Sequence, residues 1–361
     1  MKILHVTNGV EWSGGMEQIA LLVQELKALG HENFLACPPG SRQIPRLAPL
    51  SIPIEPISML QDYDLLAAWK VRRLIQKISP DVVHSHHAIS HAVTLVALTG
   101  MPRPPLVVSR RVSFPPKRNP FSRWKYGSSR INAYSVVSRS VKDILARGGV
   151  APEKIHVIYS ALKPEQFSDP GPGDGIRKEL GIPQSAQVVG KLANYSRWKG
   201  HHVFLEAAKI IYSHNNTVKF LLIGKDTENL GEEVRRLGLQ GAVKILGFRA
   251  DVPRLLSILD VSVNSAIEGE GLSGAMRESL MLGVPVVASD VSGNREIVKD
   301  GETGILVRAD DAPALAKGIL SALADPRTAR ERAASGRKWV LENATVKKMA
   351  GDTLKLYLSL L

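Results

Sequence analysis

The residues that could do chemistry gather in four short segments, the densest at residues 268–285. That segment opens with Glu268, Gly269, Glu270, Gly271, Leu272, Ser273 and Gly274, then continues in a helix-like stretch through Glu278 to Gly283 and Pro285. Three glycines within six residues let a backbone approach a ligand closely. Ser273 is of the type that caps a helix, and Gly283 with Pro285 is of the type that ends one. A helix beginning there offers free N–H groups and its positive dipole end to an anion. Glu270 and Glu278 carry carboxylates that can accept hydroxyl hydrogen bonds from a sugar or ribose. The plainer alternative is a glycine loop with two solvated glutamates.

The second segment holds Asn194, Arg197, Trp198, Lys199 and Gly200. Two cations beside a glycine suit a diphosphate, or else make a basic surface loop. The third holds His84, Ser85, His86 and His87. On a strand, His84 and His86 share one face. A zinc pair needs more ligands, and neither a cysteine nor an evident third ligand accompanies them. His86 then reads as a polar contact or acid–base group, or as a histidine satisfied by structural hydrogen bonds. His87 and His91 fall to the helix that follows. The fourth segment, residues 9–18, places Gly14 and Gly15 in a loop that opens a helix. It lacks the G-x-G-x-x-G spacing of a dinucleotide site.

These segments need elements to hold them. Apolar runs at 3–6, 34–37, 82–83, 106–108, 134–137 and 155–158 alternate with helical patterns at 17–29, 64–78 and 138–147. The rhythm restarts with strand-like runs at 188–189, 220–223, 243–246, 261–264, 286–288 and 305–307. Helical patterns at 202–212, 232–237 and 275–282 lie among them, and a helical tail runs from 311 to the end. Such alternation predicts parallel α/β sheets covered on both faces. Residues 164–181, centred on Pro170, Gly171, Pro172 and Gly173, read as a linker rather than an element. The expectation is two doubly wound domains facing a cleft, 1–165 and 166–344, with a last helix at about 345–361 returning to the first domain.

A length of 361 residues suits two such domains. The single Cys37 excludes a disulfide framework and fits a reducing compartment. No apolar run marks a signal peptide or a membrane span, so a cytoplasmic protein is expected. The net charge of +13 is uneven. Residues 1–165 hold 21 Lys+Arg against 11 Asp+Glu, a net of +10; residues 166–361 hold 26 against 23, a net of +3. That asymmetry suggests an anionic partner. No RNA-binding motif accompanies it, so nucleic acid is not expected.

Taken together, the chain resembles the retaining glycosyltransferases of the GT-B fold, family 4, over nearly its whole length. Glu270 and Glu278 eight residues apart, followed by the run from Gly283 to Ser289, carry most of the likeness. Weaker support comes from Gly14 to Glu17, Val83 to His86, Ile158 to Ala161, Trp198 to His201, Leu246 to Arg249 and Gly301 to Gly304. The resemblance implies a nucleotide-sugar donor, a UDP-sugar ahead of a GDP-sugar, bound by the second domain with no other cofactor. Lys199, with Asn194 and Arg197 beside it, would contact the diphosphate, and Glu270 the donor sugar. Glu278 would bind the ribose hydroxyls. The amides of Gly271, Leu272, Ser273 and Gly274 would hold sugar and phosphate. The backbone at Phe248 and Arg249 would meet the base. Gly14 and Gly15 would approach the donor phosphate or the acceptor, and His86 the transferred sugar. His86, Glu270 and Lys199 would be the catalytic set.

The family usually has an arginine five or six residues before the lysine, where this chain has Ala193 and Asn194. Arg197 or Lys191 would have to supply that charge. No Asp-x-Asp clamp appears in the second domain, so metal independence is expected. No enzymic nucleophile is evident, which fits a front-face mechanism. The first domain would read a glycan or lipid-linked, lipopolysaccharide-type acceptor. Its basic, aromatic stretch, with Arg110, Arg111, Lys117 and Arg118, would face that acceptor or an anionic membrane at the inner surface. The rivals are an epimerase or phosphorylase on the same fold and a non-catalytic sugar-nucleotide-binding module. A nicotinamide-dependent dehydrogenase lacks its glycine spacing.

Overall fold

The computed structural model describes residues 1–361 as two compact units. Unit one is Met1–Ala161 with Val346–Leu361, and unit two is Leu162–Thr345. The division thus falls four residues before the expected 165/166 boundary and one residue after 344/345.

Unit one is a seven-stranded parallel sheet. Its strands are β1 (Lys2–Val6), β2 (Glu32–Cys37), β3 (Ile54–Pro56), β4 (Val82–Ser85), β5 (Leu106–Arg110), β6 (Ile131–Val136) and β7 (Ile155–Val157). The spatial order is β3-β2-β1-β4-β5-β6-β7. Every residue of β4 is buried, as in a strand covered on both faces. The helix Val346–Leu358 closes this unit: Val346, Met349, Ala350 and Tyr357 join Ile3, Leu22, Leu26 and Val107 in one core cluster.

Unit two is a six-stranded parallel sheet. It holds β8 (Val188–Leu192), β9 (Lys219–Ile223), β10 (Val243–Gly247), β11 (Val261–Asn264), β12 (Val286–Ser289) and β13 (Ile305–Val307), in the order β10-β9-β8-β11-β12-β13. In both sheets the order reverses direction beside the first strand, at β1/β4 and at β8/β11. In open parallel sheets, ligands gather at the carboxyl ends of strands at such switch points.

The structure corrects several expectations. Residues 164–181 are not a bare linker: they hold a 3-10 turn, Pro164–Phe167, and a helix, Gly173–Glu179. Ile176 on that helix is fully buried in a core with Val188, Leu255, Leu256 and Ile258, so packing overrides glycine-rich composition. The first helix starts at Gly14, where Ser13 Oγ accepts from the Met16 N–H, so both glycines sit in its first turn rather than in a loop. Within the proline-rich stretch, Asn119 caps a helix Pro120–Gly127 by accepting from the Ser122 N–H at 2.7 Å. The tail divides into Ala312–Ala324, Pro326–Asn343 and Val346–Leu358, the first break falling at Asp325, which caps the following helix.

If Gly173–Glu179 is a core element, Ile176→Ala should cost about 2–5 kcal/mol. Urea unfolding measures this, and a loss within about 0.5 kcal/mol, the usual range for a surface change, would return the segment to a linker.

Candidate functional site

The site in unit two is built where β8 and β11 end. Beyond β11, residues 265–273 form a loop that Ser273 closes by accepting from the Met276 N–H, starting the helix Gly274–Met281. Glu270 is buried in this loop. Its carboxylate accepts from Lys199 Nζ at 2.7 Å, and Asn264 Nδ2 lies 3.5 Å from the same oxygen. Lys199 ends the 3-10 turn Arg197–Lys199 that follows β8, with its ammonium 4.1 Å from the centre of the Trp198 ring. The two charges of the expected catalytic set in this unit are therefore one ion pair, 71 residues apart in sequence.

Close backbone approaches hold the pair. Gly200 has φ of +64°, and a Cβ there would stand 1.9 Å from the Ser265 carbonyl oxygen. Ser265 Oγ donates to the Gly200 carbonyl at 2.7 Å, fastening the two loops. Gly293 donates its N–H to the Glu270 carbonyl, and a Cβ at Gly293 would meet the Gly271 carbonyl at 2.0 Å. Neither position tolerates a side chain without moving the loop that carries Glu270.

Beneath the pair lies Lys191, 1% exposed, which donates to the Lys199 carbonyl at 2.8 Å and to Ser265 Oγ at 2.9 Å. Burial, reinforced by the neighbouring Lys199 charge and opposed by Glu270, lowers its pKa to about 7. Lys191 therefore braces the Lys199 turn from inside and is only partly charged near neutral pH. Arg197 is exposed. A further buried cation, outside the expected set, is Arg277. It is 4% exposed, and its Nε donates to the Ser273 carbonyl. Burial lowers its pKa to about 10, while Glu278 and Glu270 hold it up. Its position immediately before Glu278 was the available signal.

Gly274 stands next to Glu278: a Cβ on it would lie 3.5 Å from Glu278 Oε1 and 3.7 Å from an Arg277 guanidinium nitrogen. Lys199, Glu270, Gly271, Leu272, Ser273, Gly274, Glu278 and Arg277 thus belong to two neighbouring loops and one helix start. Asn194 is exposed, and its Oδ1 accepts from the Lys225 N–H. Phe248 is 67% exposed just beyond β10. The Arg249 side chain is clamped by Asp251 and Glu179, each at 2.8 Å, which holds its pKa up.

In unit one, the side chains of Arg111, His86, His5 and Asn33 form a hydrogen-bonded chain. The Arg111 guanidinium, which only donates, reaches the His86 carbonyl at 3.0 Å and His86 Nδ1 at 3.1 Å. His86 Nε2–H then donates to His5 Nδ1 at 2.9 Å, and His5 Nε2–H to Asn33 Oδ1 at 3.1 Å. His84 is satisfied by the Tyr357 and Ser109 hydroxyls. His5 is the third imidazole whose presence was not evident from sequence. Burial, assisted by neighbouring charges, puts His5 at about 4 and drives His84 and His86 well below the usual value. With the nitrogens of His5, His84 and His86 engaged and a guanidinium on His86, the group fits a hydrogen-bonded cluster better than a cation.

Two expectations are corrected here. His86 does not present a free ring nitrogen. The half-buried His87 comes closer to doing so, with Nδ1 on Thr7 Oγ1 at 2.7 Å and Nε2 beside Gly15. Arg110 and Arg111 are half-buried and already engaged: Arg110 binds the Tyr126 hydroxyl and the Phe114 carbonyl, and Arg111 binds His86. Lys117 and Arg118 are exposed and line a pocket of ≈ 610 Å³ with Arg123, Arg147, Pro116 and Tyr126. No acidic side chain lines this pocket.

Known proteins agree with this architecture. Residues 174–339 match the family model described as glycosyl transferases group 1, and residues 12–166 match that of glycosyltransferase family 4. The chain belongs to glycosyltransferase family 4. It is 29% identical over 226 residues, 60% of this chain and 58% of the relative, to the Bacillus subtilis protein EpsD, named a glycosyltransferase. It is 31% identical over 151 residues, 41% of this chain and 43% of the relative, to the lipopolysaccharide core biosynthesis glycosyltransferase LpsE of Rhizobium meliloti. The matched part spans about half the length of these curated relatives. Anabaena HepE, solved in complex with UDP, superposes with a TM-score of 0.88 at 21% identity over 99% of this chain and 100% of that one. The same protein was also solved with UDP-glucose. The fold of this family 4 chain is GT-B.

Lys191 gives the site a pH signature. The unfolded chain holds its lysine proton up to about pH 10.4, whereas the folded chain gives it up near 7. Stability contributed by neutral Lys191 is therefore full above pH 10 and lost as pH falls towards 7. Lys191→Met should flatten the rise in urea midpoint between pH 7 and 9. An unchanged slope in the variant would show that Lys191 titrates normally.

Proposed function

We propose that this family 4 chain transfers a sugar from a UDP-sugar to a lipid-borne, phosphorylated glycan, with retention of configuration, without a metal, at an anionic membrane face. The observation that carries the reading is the Glu270–Lys199 pair, set between a glycine-rich helix start and the buried Arg277. HepE, solved with UDP and UDP-glucose, supports the donor class, and LpsE, named for lipopolysaccharide core biosynthesis, supports the acceptor class.

Cleaving the bond between sugar C1 and phosphate oxygen leaves an oxocarbenium-like sugar and a diphosphate with added negative charge. Lys199, Arg277 and the amides of residues 271–274 would stabilise that charge from fixed positions. Arg277 takes the part of the arginine that the family usually carries before the lysine, in preference to exposed Arg197 or partly neutral Lys191. Glu270 would accept from a donor-sugar hydroxyl while holding Lys199 in place. Glu278 would accept from the ribose hydroxyls, and the backbone at Phe248 and Arg249 would meet the base. The acceptor oxygen forms the new bond to C1 on the departing face, and its proton passes to the leaving phosphate. In unit one, the pocket with Lys117, Arg118, Arg123 and Arg147 would take the acceptor's phosphate. The Arg111–His86–His5–Asn33 network would position His87 rather than touch substrate through His86.

A thermal-shift screen should show UDP-sugars raising the melting temperature, with GDP-, ADP- and CMP-sugars giving smaller shifts. NMR of the product should show the donor's anomeric configuration, with a rate unchanged by chelator. Arg277→Gln should lower kcat by about 10²–10³. An inverted product, activity restored only by a divalent cation, or wild-type kcat in Arg277→Gln would each overturn its part of the reading.

A further inference from the structure

The helix Leu65–Ile78 has two apolar faces. Ala67, Ala68, Val71, Leu74 and Ile75 are buried against unit one. On the outward side, Leu65, Leu66 and Trp69 are 69%, 64% and 53% exposed. Just before the helix, Leu60 and Tyr63 are 81% and 67% exposed. A solvent-facing helix surface is ordinarily polar, and a cluster of large exposed apolar side chains marks an interaction site.

We propose that this surface docks on an anionic lipid bilayer. The charge around it selects the partner. Lys70, Arg73 and Lys77 are exposed on the same helix, which carries no acidic residue. The Arg73 guanidinium lies 5.2 Å from the centre of the Trp69 ring. Leucine and tryptophan on one face with lysine and arginine beside them is the pattern of a helix lying in a membrane interface. A second aromatic element is tied to the first. Asp62, in the loop that carries Leu60 and Tyr63, accepts from Lys125 Nζ at 2.8 Å. Lys125 belongs to the helix Pro120–Gly127, which exposes Phe121 and Trp124 with their rings 5.4 Å apart. A second copy of the chain fits poorly, because a two-fold contact would set Lys70, Arg73 and Lys77 against their own copies. The surface also differs from the one expected from sequence, since Arg110 and Arg111 are half-buried and hydrogen-bonded within unit one.

The inference rests on the reading of a lipid-borne acceptor, and donor binding in unit two keeps the two separable. The test is co-sedimentation of the full-length chain with vesicles of phosphatidylcholine, alone or mixed with phosphatidylglycerol. The wild type should bind the mixed vesicles, less so as salt rises. A triple variant, Leu65→Gln with Leu66→Gln and Trp69→Gln, should lose about tenfold or more of that binding. Its melting temperature and UDP affinity should equal those of the wild type. A second variant, Lys70→Gln with Arg73→Gln and Lys77→Gln, should lose most of the salt-dependent part. Wild-type indifference to anionic vesicles would overturn the proposal, as would equal vesicle binding by the triple variant. Wild-type self-association that the triple variant abolishes would assign the face to a second copy. Failure of UDP binding in every protein would instead strike the donor reading and leave the vesicle result standing.

Discussion

A carboxylate buried in protein must be paired, and in this chain the pairing of Glu270 with Lys199 ties together the loops that follow β8 and β11. Removing one partner of such a pair costs about 3–5 kcal/mol, because the other charge stays buried and unmatched. The backbone around the pair answers to it. Gly200 in the left-handed region lets the Lys199 turn touch the Ser265 carbonyl, and Gly293 lets a neighbouring segment touch Gly271. The glycines at 200 and 293 are there for close backbone packing. Lys191 completes the arrangement from below, donating to the Lys199 carbonyl while giving up much of its own charge.

Unit one meets the same constraint differently. It buries several imidazoles beside a guanidinium and satisfies them in sequence, with proton positions fixed by the one group that can only donate. The direction Arg111 to His86 to His5 to Asn33 follows from Arg111 alone. Burial keeps the histidines neutral, so Arg111 is the one charge in the network. A basic composition therefore divides into two physical classes. Arg110 and Arg111 are half-buried and spend their donors within unit one, whereas Lys117, Arg118 and Lys70, Arg73 and Lys77 of the helix Leu65–Ile78 face solvent.

Much of the fold could be read from sequence because buried strands such as β9 and β12 carry continuous apolar runs, Phe220 to Ile223 and Val286 to Ala288, between helical periods. The glycine-rich helix start and Lys199 were legible for the same local reason: cap, glycine and charge lie within a few residues. What was not legible depended on distant pairing. His5 joins His84 because β1 and β4 lie side by side in that register, which no local pattern states. Arg277 is buried although it is a helix charge, and its Nε is fixed on the Ser273 carbonyl, a contact no local pattern states. The helix Gly173–Glu179 hid behind glycine and proline because only Ile176 anchors it. Arginine side chains were the hardest to place, since composition gives their charge but not the direction in which they turn.

In the proposed function, Lys199, held by Glu270, meets a nucleoside diphosphate. Calorimetric titration of UDP into the wild type, Lys199→Gln and Lys199→Arg tests this directly. Lys199→Gln should weaken binding by about tenfold or more, the worth of one charge-assisted hydrogen bond, and Lys199→Arg should recover part of it. UDP binding of equal strength in all three would contradict it.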